Sequence, residues 1–224
     1  MARPRPALAI ALVSAIGVAV ALVVGLLSGN AGGPSSVETV GQRPVAASSP
    51  SDSATEPASA PSSPAASPPA EPMTFAVPRR VDIPAIGVGT KVVPVGLEVD
   101  GAIEIPDDIR LVGWYELGVP PGADRGSAVL VAHRDGREQG RGVFYDLGLL
   151  EVDDEVVVRT DEGQDLVFAV VSRESIRKQR LPYEELFAVD GPPRLTLISC
   201  GGEYDSDAGG YQDNVVVTAV PVEG

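Results

Sequence analysis

The feature that most constrains the fold of this chain is a series of short apolar runs, rich in Val and Ile, in its C-terminal part. Turn signals such as Asp100-Gly101 and Gly191-Pro192 separate the runs. Helical periodicity is weak, and short helices are predicted only at residues 142–148 and 182–188. The spacing predicts an all-β fold class, an antiparallel sandwich or barrel. Its predicted strands are Arg80–Ile83, Val92–Val95, Ser127–His133, Glu155–Thr160, Leu166–Ser172, Arg194–Cys200 and Asn214–Val220.

The N-terminal residues predict export. Residues 7–27 carry no charge, and this length is sufficient to cross a hydrocarbon core of roughly 30 Å as a helix. Arg3 and Arg5 precede the stretch, so residues 1–6 are expected to stay cytoplasmic. We therefore predict a single-pass signal anchor at residues 7–28 in the cell membrane, with the main domain extracellular. A long signal peptide that is cleaved near residues 28–31 is the alternative, and it exports the domain as well.

The remaining chain divides into a linker and one folded domain. Residues 29–73 consist mostly of Ser, Pro, Ala, Gly and Glu without an aromatic residue, which is typical of a disordered linker. Residues 74–224 contain all the aromatic side chains and are numerous enough for a single core. The formal net charge of −14 argues against nucleic acid as a partner, because nucleic-acid binding requires a basic surface.

Cys200 is the only cysteine of the chain, and His133 is the only histidine. Each closes one of the predicted strands, where a rigid scaffold presents reactive groups. A thiol and an imidazole are the minimum pair for catalysis by a thiolate. An unpaired cysteine in an exported domain is either reactive or an intermolecular partner, although a buried and inert cysteine remains open. We predict no metal and no cofactor, since the chain lacks metal-ligand spacing.

Strand parity places further side chains relative to the cysteine. Successive residues of a strand point to opposite faces. In the run 194–200, Cys200 therefore shares a face with Ile198, Thr196 and Arg194. Leu195, Leu197 and Ser199 point to the other face. Arg194 lies roughly 20 Å along the strand from the cysteine, too far to contact the same substrate atom.

Four blocks of this sequence resemble those of sortases. TLISCGGEYD (196–205) followed by GYQDNVVVTA (210–219) resembles the sortase cysteine block, and GSAVLVAH (126–133) resembles the histidine block. GVFYDL (142–147) resembles the turn that follows, and PRRVDIPAIG (78–87) resembles the region of the first strand. The blocks occur in the family's order over residues 76–222. They look most like the actinobacterial class E/F branch, and in particular class F.

The resemblance implies an eight-stranded sortase β-barrel with short helices and a catalytic domain at 74–224. It implies a cysteine transpeptidase that cuts an LPXTG-like sorting signal of a secreted protein between Thr and Gly. Cys200 would form the acyl thioester, and His133 would protonate the leaving amine and activate the incoming one. The acceptor would be a peptidoglycan precursor or a pilin amine, so that surface proteins become covalently attached to the cell wall.

The sequence departs from the family at one position. Sortases carry an arginine near the start of the last strand, and Gln212 stands there in this chain. A glutamine amide donates hydrogen bonds but brings no charge, and loss of a charged oxyanion donor costs on the order of 10²–10³ in rate. Arg134, Arg177 or Arg180 could supply the charge instead. The more usual interpretation of each of these arginines is an ordinary solvated loop charge.

Other polar and aromatic residues near the two blocks have more than one interpretation. Asp135 could orient the His133 ring, but Asp-Gly is also a common turn. Tyr204, Asp205 and Tyr211 are expected to shape the loop between the last two strands. Trp114 is expected in the core or at its rim.

Two alternative functions remain open. One is a catalytically weak or inactive sortase-like domain that binds sorting signals without cleaving them, which only the missing arginine supports. The other is an L,D-transpeptidase, which also pairs an exported Cys with a His. The Ser-His-Gly-Cys block of that class is absent from this sequence, and its absence counts against it.

Overall fold

The computed structural model describes residues 39–43 and 77–222 of the chain. The anchor predicted at residues 7–28 lies outside these ranges, as does most of the linker predicted at 29–73. Within the described ranges, no helix is long and apolar enough to cross a membrane. The anchor therefore stays a prediction.

The described residues are mostly β-structure. The one α-helix among them is α1 (Tyr183–Leu186), and short 3-10 turns lie at Pro84–Ile86, Leu147–Leu149 and Lys178–Arg180. The strands are β1 (Val40–Gly41), β2 (Pro78–Ile83), β3 (Val88–Val95), β4 (Val112–Tyr115), β5 (Ser127–Val131), β6 (Asp135–Gly136), β7 (Gly140–Arg141), β8 (Glu155–Thr160), β9 (Asp165–Arg177), β10 (Arg194–Asp205) and β11 (Gly210–Pro221).

Eight of these strands form a closed barrel. Their order is β9-β11-β10-β5-β4-β3-β2-β8, and β8 pairs with β9 to close the sheet. Closure removes the exposed edges that an open sheet would present. The predicted all-β barrel with short helices is confirmed. Two pairings are parallel, β3 with β4 and β5 with β10, whereas the sequence indicated an antiparallel fold.

Several predicted elements differ from the observed ones at their ends. The β8 strand has the predicted bounds, but β9, β10 and β11 extend well beyond theirs because they pair with each other over long stretches. The β4 strand was not predicted, because a four-residue run that contains Gly113 gives a weak β signal. The helix predicted at 142–148 is reduced to one 3-10 turn, and the one predicted at 182–188 is α1.

The barrel has an apolar interior and a second apolar cluster on its outer face. Leu130, Leu195 and Leu197 are fully buried in the interior. Ile198 belongs instead to the outer cluster, which the segment around α1 covers. The predicted parity of this strand is thus confirmed. Burial of each large side chain contributes about 1.5–3 kcal/mol, so both clusters stabilise the scaffold that carries the strand ends.

Candidate active site

The structure places the end of β5 beside the middle of β10, which continues to Asp205. The two strands run parallel, with Val131 opposite Ile198. The backbone N–H of Ala132 donates to the carbonyl of Ile198 at 3.2 Å, which extends the pairing by one residue. Cys200 and His133 each follow two residues after the last paired positions. Because neighbouring strands lie about 4.8 Å apart, the imidazole just beyond the end of β5 emerges next to the thiol within β10. The prediction that Cys200 closes its strand is wrong, because β10 continues to Asp205 by pairing with β11.

Alternation along both strands directs these two side chains to the same face. Leu130 and Ala132 point into the barrel, while Val131 between them belongs to the outer cluster. His133 is next in this alternation, and Cys200 follows Ile198 by two residues on the outer face. His133 and Cys200 are both half-buried. A thiol that remains accessible beside an imidazole has the surroundings that a nucleophile requires.

A groove of about 670 Å³ runs along this outer face and reaches the cysteine. Cys200 lies on its floor, opposite its register partner Asn214 on β11. The walls are mainly apolar and come from the loop after β3, from β4 and from the segment around α1. The wall residues include Leu97, Ile103, Ile105, Tyr115, Leu181, Tyr183 and Phe187. An extended peptide with apolar side chains fits a groove of this composition.

Aromatic contacts fix one wall of the groove. The Phe187 ring packs edge-on against Tyr115 at 5.5 Å between centroids and stacks on Tyr183 at 6.3 Å. Such pairs contribute about 0.5–1.5 kcal/mol beyond the area that they bury. The wall formed by α1 is therefore attached to the strand β4.

Among the described residues that line the groove, Lys178 is the only basic one. It follows the end of β9, where Ile176 is the register partner of Asn214. Arg177 has extended backbone angles, with φ −53° and ψ 132°, so the alternation continues and Lys178 shares the face of Ile176. Within the part of the chain that the structure describes, the Lys178 ammonium makes no hydrogen bond or ion pair. Its positive charge is free to meet a ligand.

The loop after His133 is held by backbone hydrogen bonds to the β7 end. Gly142 N–H donates to the carbonyl of Arg134 at 2.7 Å, and Phe144 N–H donates to the carbonyl of His133 at 3.1 Å. A Cβ atom at Gly142 would lie 2.3 Å from the His133 carbonyl oxygen, closer than any real contact. Only glycine permits this approach, which fixes the backbone that carries the imidazole.

Arg134 and Asp135 form a cluster beside the site with Tyr145 and Tyr211. The Arg134 guanidinium lies between the rings of Tyr145 and Tyr211, 5.3 and 5.1 Å from their centroids. Its Nε is buried without a hydrogen-bond partner. The Tyr211 hydroxyl donates a hydrogen bond to the carboxylate of Asp135. Burial, and then this hydrogen bond, raise the pKa of Tyr211. The Asp135 carboxylate thus connects to the hairpin β10–β11.

Three further residues were candidates for stabilising the oxyanion, and each of them makes other contacts or points elsewhere. Alternation puts Gln212 on the face of Asn214, but its amide donates to the carbonyl of Gly210 at 2.7 Å within the same hairpin. Arg177 pairs with Asp213 at 3.3 Å on the opposite face. Arg180 is exposed to solvent. None of these three side chains lines the groove.

The register thus places Cys200 and His133 on adjacent strands, and of these two only Cys200 lines the groove. Gln212 and Arg134 do not line it. Sequence reasoning missed Lys178 and Asn214, because nothing in the local sequence marks a loop lysine or a strand asparagine as facing a groove. Tyr204 packs edge-on against Tyr211 at 5.2 Å and closes the hairpin as expected. Trp114 lies in the interior core. The described residues contain no cluster of His, Cys, Asp and Glu that could hold a metal ion.

A closed barrel that presents a thiol and an imidazole from adjacent strands defines a class of thiol-dependent acyl-transfer scaffold. The family model for the sortase domain matches residues 81–222. The chain therefore belongs to the sortase family, whose members are cysteine transpeptidases that act on LPXTG-type sorting signals and amine nucleophiles. A comparison with curated proteins finds no match.

Solved sortase structures share the fold. Sortase C1 from Streptococcus agalactiae, in complex with MTSET, is 22% identical over 65% of this chain and 67% of its own, with a TM-score of 0.51. Sortase C-1 from Actinomyces oris is 22% identical over 65% and 72%, with a TM-score of 0.51. The chain spans about two thirds of the length of the first of these structures. At these identities the likeness shows the barrel fold.

Proposed function

We propose that this protein is a class F-like sortase that cleaves an LPXTG-like sorting signal and transfers the acyl group to an amine. One observation carries the proposal: Cys200 lies within β10 and His133 follows the end of the adjacent, in-register strand β5, on the face that bears the apolar groove. The apolar walls suit the Leu and Pro side chains of the signal. The membership of the sortase family supports the reaction class.

The proposed chemistry begins with the Cys200 thiolate, which attacks the carbonyl carbon of the signal's Thr. The C–N bond between Thr and Gly breaks, and the leaving Gly amine takes a proton from the His133 imidazolium. The acceptor amine then gives a proton to the neutral imidazole and attacks the thioester. The C–S bond breaks and the thiolate is restored, so that atoms and charge balance over the cycle.

The tetrahedral intermediate needs a donor for its oxyanion. A preorganised charge in a site from which water is excluded is the strongest stabiliser of such an intermediate. Lys178 is the basic side chain of the groove, whereas Gln212 bonds within its own hairpin and Arg134 lies between two tyrosines. We therefore assign the charge to Lys178, and Gln212 and Arg134 remain the alternatives that the sequence suggested.

The cellular setting of the proposal comes from the sequence. An anchor at residues 7–28 would hold the catalytic domain outside the cell, where sorting signals and cell-wall precursors meet. The acceptor would be a peptidoglycan precursor or a pilin lysine. The product would be a surface protein that is covalently attached to the wall.

The test uses the full-length chain, an LPXTG-type peptide and an excess of an amine such as triglycine. Mass spectrometry should show a thioester on Cys200 and the ligated peptide, and the variant Cys200→Ala should show neither. Peptide that binds but stays intact in the presence of an alkylatable Cys200 would favour the binding-domain alternative. A chain that neither binds nor cleaves the peptide would contradict the proposed substrate.

A further inference from the structure

A short segment from the region predicted as linker lies on the barrel. Residues 39–43, which we call the clip, contain β1, and β1 pairs antiparallel with β9. Val40 is opposite Arg173, and Gly41 is opposite Ser172. The Ser/Pro/Ala composition of the surrounding sequence gives no sign of this contact. The clip therefore has a specific place on the folded domain.

Gly41 fits its position on β9 only because it has no side chain. Its φ is +75°, a left-handed conformation that other residues rarely adopt. A Cβ atom at Gly41 would lie 1.9 Å from the carbonyl oxygen of Val171. The close backbone approach means that a single added methyl group should displace the clip from the barrel.

Arg43, at the end of the clip, bridges the strand β9 and the helix α1. Its Nε lies 2.6 Å from Oε1 of Glu174, and its Nη1 lies 3.3 Å from Oε1 of Glu185. The Arg43 side chain is only 15% exposed. Glu174 belongs to β9 and Glu185 to α1. One cation from the clip thus neutralises two acids on different elements.

The helix α1 depends on such contacts because it has only four residues, too few to be stable alone. The Arg194 guanidinium donates a hydrogen bond to the carbonyl of Glu185 in this helix at 2.5 Å. The Leu186 side chain of this helix packs into the outer cluster. Arg43 provides the contact on the Glu185 side chain. The same short segment presents Tyr183 and Phe187 to the groove.

Removal of Arg43 would replace the attraction of Glu174 on β9 and Glu185 on α1 to a shared cation by a repulsion between the two carboxylates. Glu174 and Glu185 are 22% and 34% exposed, and without Arg43 no cation would join the two carboxylates, since Arg194 interacts electrostatically with Glu185 and not with Glu174. Like charges in a partly buried site repel each other. The repulsion would push α1 away from β9 and loosen the groove wall.

We propose that the clip is a structural part of the barrel domain and that its Arg43 is a positioning residue for the groove wall formed by α1. The clip sets how tightly the groove binds an acyl-donor peptide. The statement on peptide affinity rests on the proposed function, while the statement on the position of α1 does not.

The first experiment measures amide hydrogen exchange in the full-length chain. Gly41→Ala and Arg43→Gln should each raise exchange in α1 and at the β9 amides around Ser172, while the interior strands β5 and β10 keep their protection. Gln42→Ala, at an exposed clip position, is the matched control and should change nothing. Unchanged α1 exchange in both variants would overturn the proposal.

The second experiment measures binding of a fluorescent LPXTG-type peptide to the full-length chain with Cys200→Ala. Arg43→Gln should raise the Kd about threefold to tenfold, as expected for a partly buried ion pair, and Arg43→Lys should restore most of the affinity. In active protein the same variant should raise KM and leave kcat within about twofold, because α1 does not touch the reacting atoms.

The outcomes separate the two proposals. A wild-type chain that fails to bind or cleave the peptide would refute the proposed function, and α1 exchange would still decide on the clip. A wild-type chain that cleaves normally, with equal KM and equal α1 exchange in Gly41→Ala and Arg43→Gln, would refute the clip alone. A fall in kcat without a change in KM would also contradict it, because that result indicates a role at the reacting atoms.

Discussion

The Tyr211 hydroxyl donates a hydrogen bond to the Asp135 carboxylate, and this bond joins the β10–β11 hairpin to the loop that carries His133. The two residues are far apart in sequence but belong to the elements that present the nucleophile and the proton carrier. Arg134 packs on the same Tyr211 ring and reinforces the connection. The relative position of Cys200 and His133 therefore depends on contacts made beside the groove.

Tyr211→Phe should loosen this connection. A hydrogen bond to a charged group contributes about 1.5–3 kcal/mol, and part of this should appear as a fall in kcat of roughly tenfold with little change in KM. Steady-state kinetics measure kcat and KM separately. Tyr204→Phe is the matched control, because its ring packs on Tyr211. Both variants keep their rings, so equal effects would show that the specific bond from Tyr211 to Asp135 is not what holds the loop.

The same tyrosine predicts a dependence of stability on alkaline pH. Burial and the Asp135 hydrogen bond raise the pKa of Tyr211, so the folded state favours its protonated form. The stabilisation is complete below about pH 10, the ordinary tyrosine value, and is lost as the pH rises through the raised pKa. Chemical denaturation between pH 8 and about 11.5 should show this loss in the wild type and a smaller one in Tyr211→Phe.

Gly142→Ala should impair the site without unfolding the barrel. The added methyl group would overlap the carbonyl oxygen of His133 and force the loop to move. Overpacking of this kind costs about 1–3 kcal/mol, and we expect activity to fall at least tenfold. Gly96→Ala is the control, since nothing lies within 4 Å of its added Cβ. Normal activity in Gly142→Ala would mean that the His133 backbone position is not critical.

Lys178→Met should weaken catalysis if its charge meets the developing oxyanion. We expect kcat/KM to fall roughly tenfold to a hundredfold, with most of the activity restored in Lys178→Arg. The only other lysine, Lys91, is exposed on β3, so Lys91→Met controls for loss of a positive charge. Full activity in Lys178→Met would return the assignment to Gln212 or Arg134. The variants Gln212→Ala and Arg134→Gln would then be compared in the same assay.

Cys200→Ser and His133→Gln should each reduce transpeptidation at least about a thousandfold. The double variant should be little worse than either single variant, because the two groups act in one proton-transfer unit. Product formation followed by mass spectrometry measures all three. Additive losses would show that the residues act independently.

Much of the fold was predictable because the local signals were strong. The β8 strand has its predicted bounds, and Leu195, Leu197 and Ile198 occupy the predicted faces. The elements that the sequence did not predict were β4 and the extensions of β10 and β11. Their strand conformation comes from partners that pair with them, and a single run of sequence does not contain that information.

By itself the sequence determined the all-β class, the presence of a single cysteine and a single histidine next to apolar β-runs, and the resemblance to sortases. These follow from composition and periodicity, which are local properties of the chain. Only the tertiary structure decided that Lys178 lines the groove, that Gln212 bonds to Gly210 and that Arg43 bridges β9 and α1. The physical reason is that ion pairs and grooves form between elements far apart in sequence, where barrel closure and register fix which side chains meet.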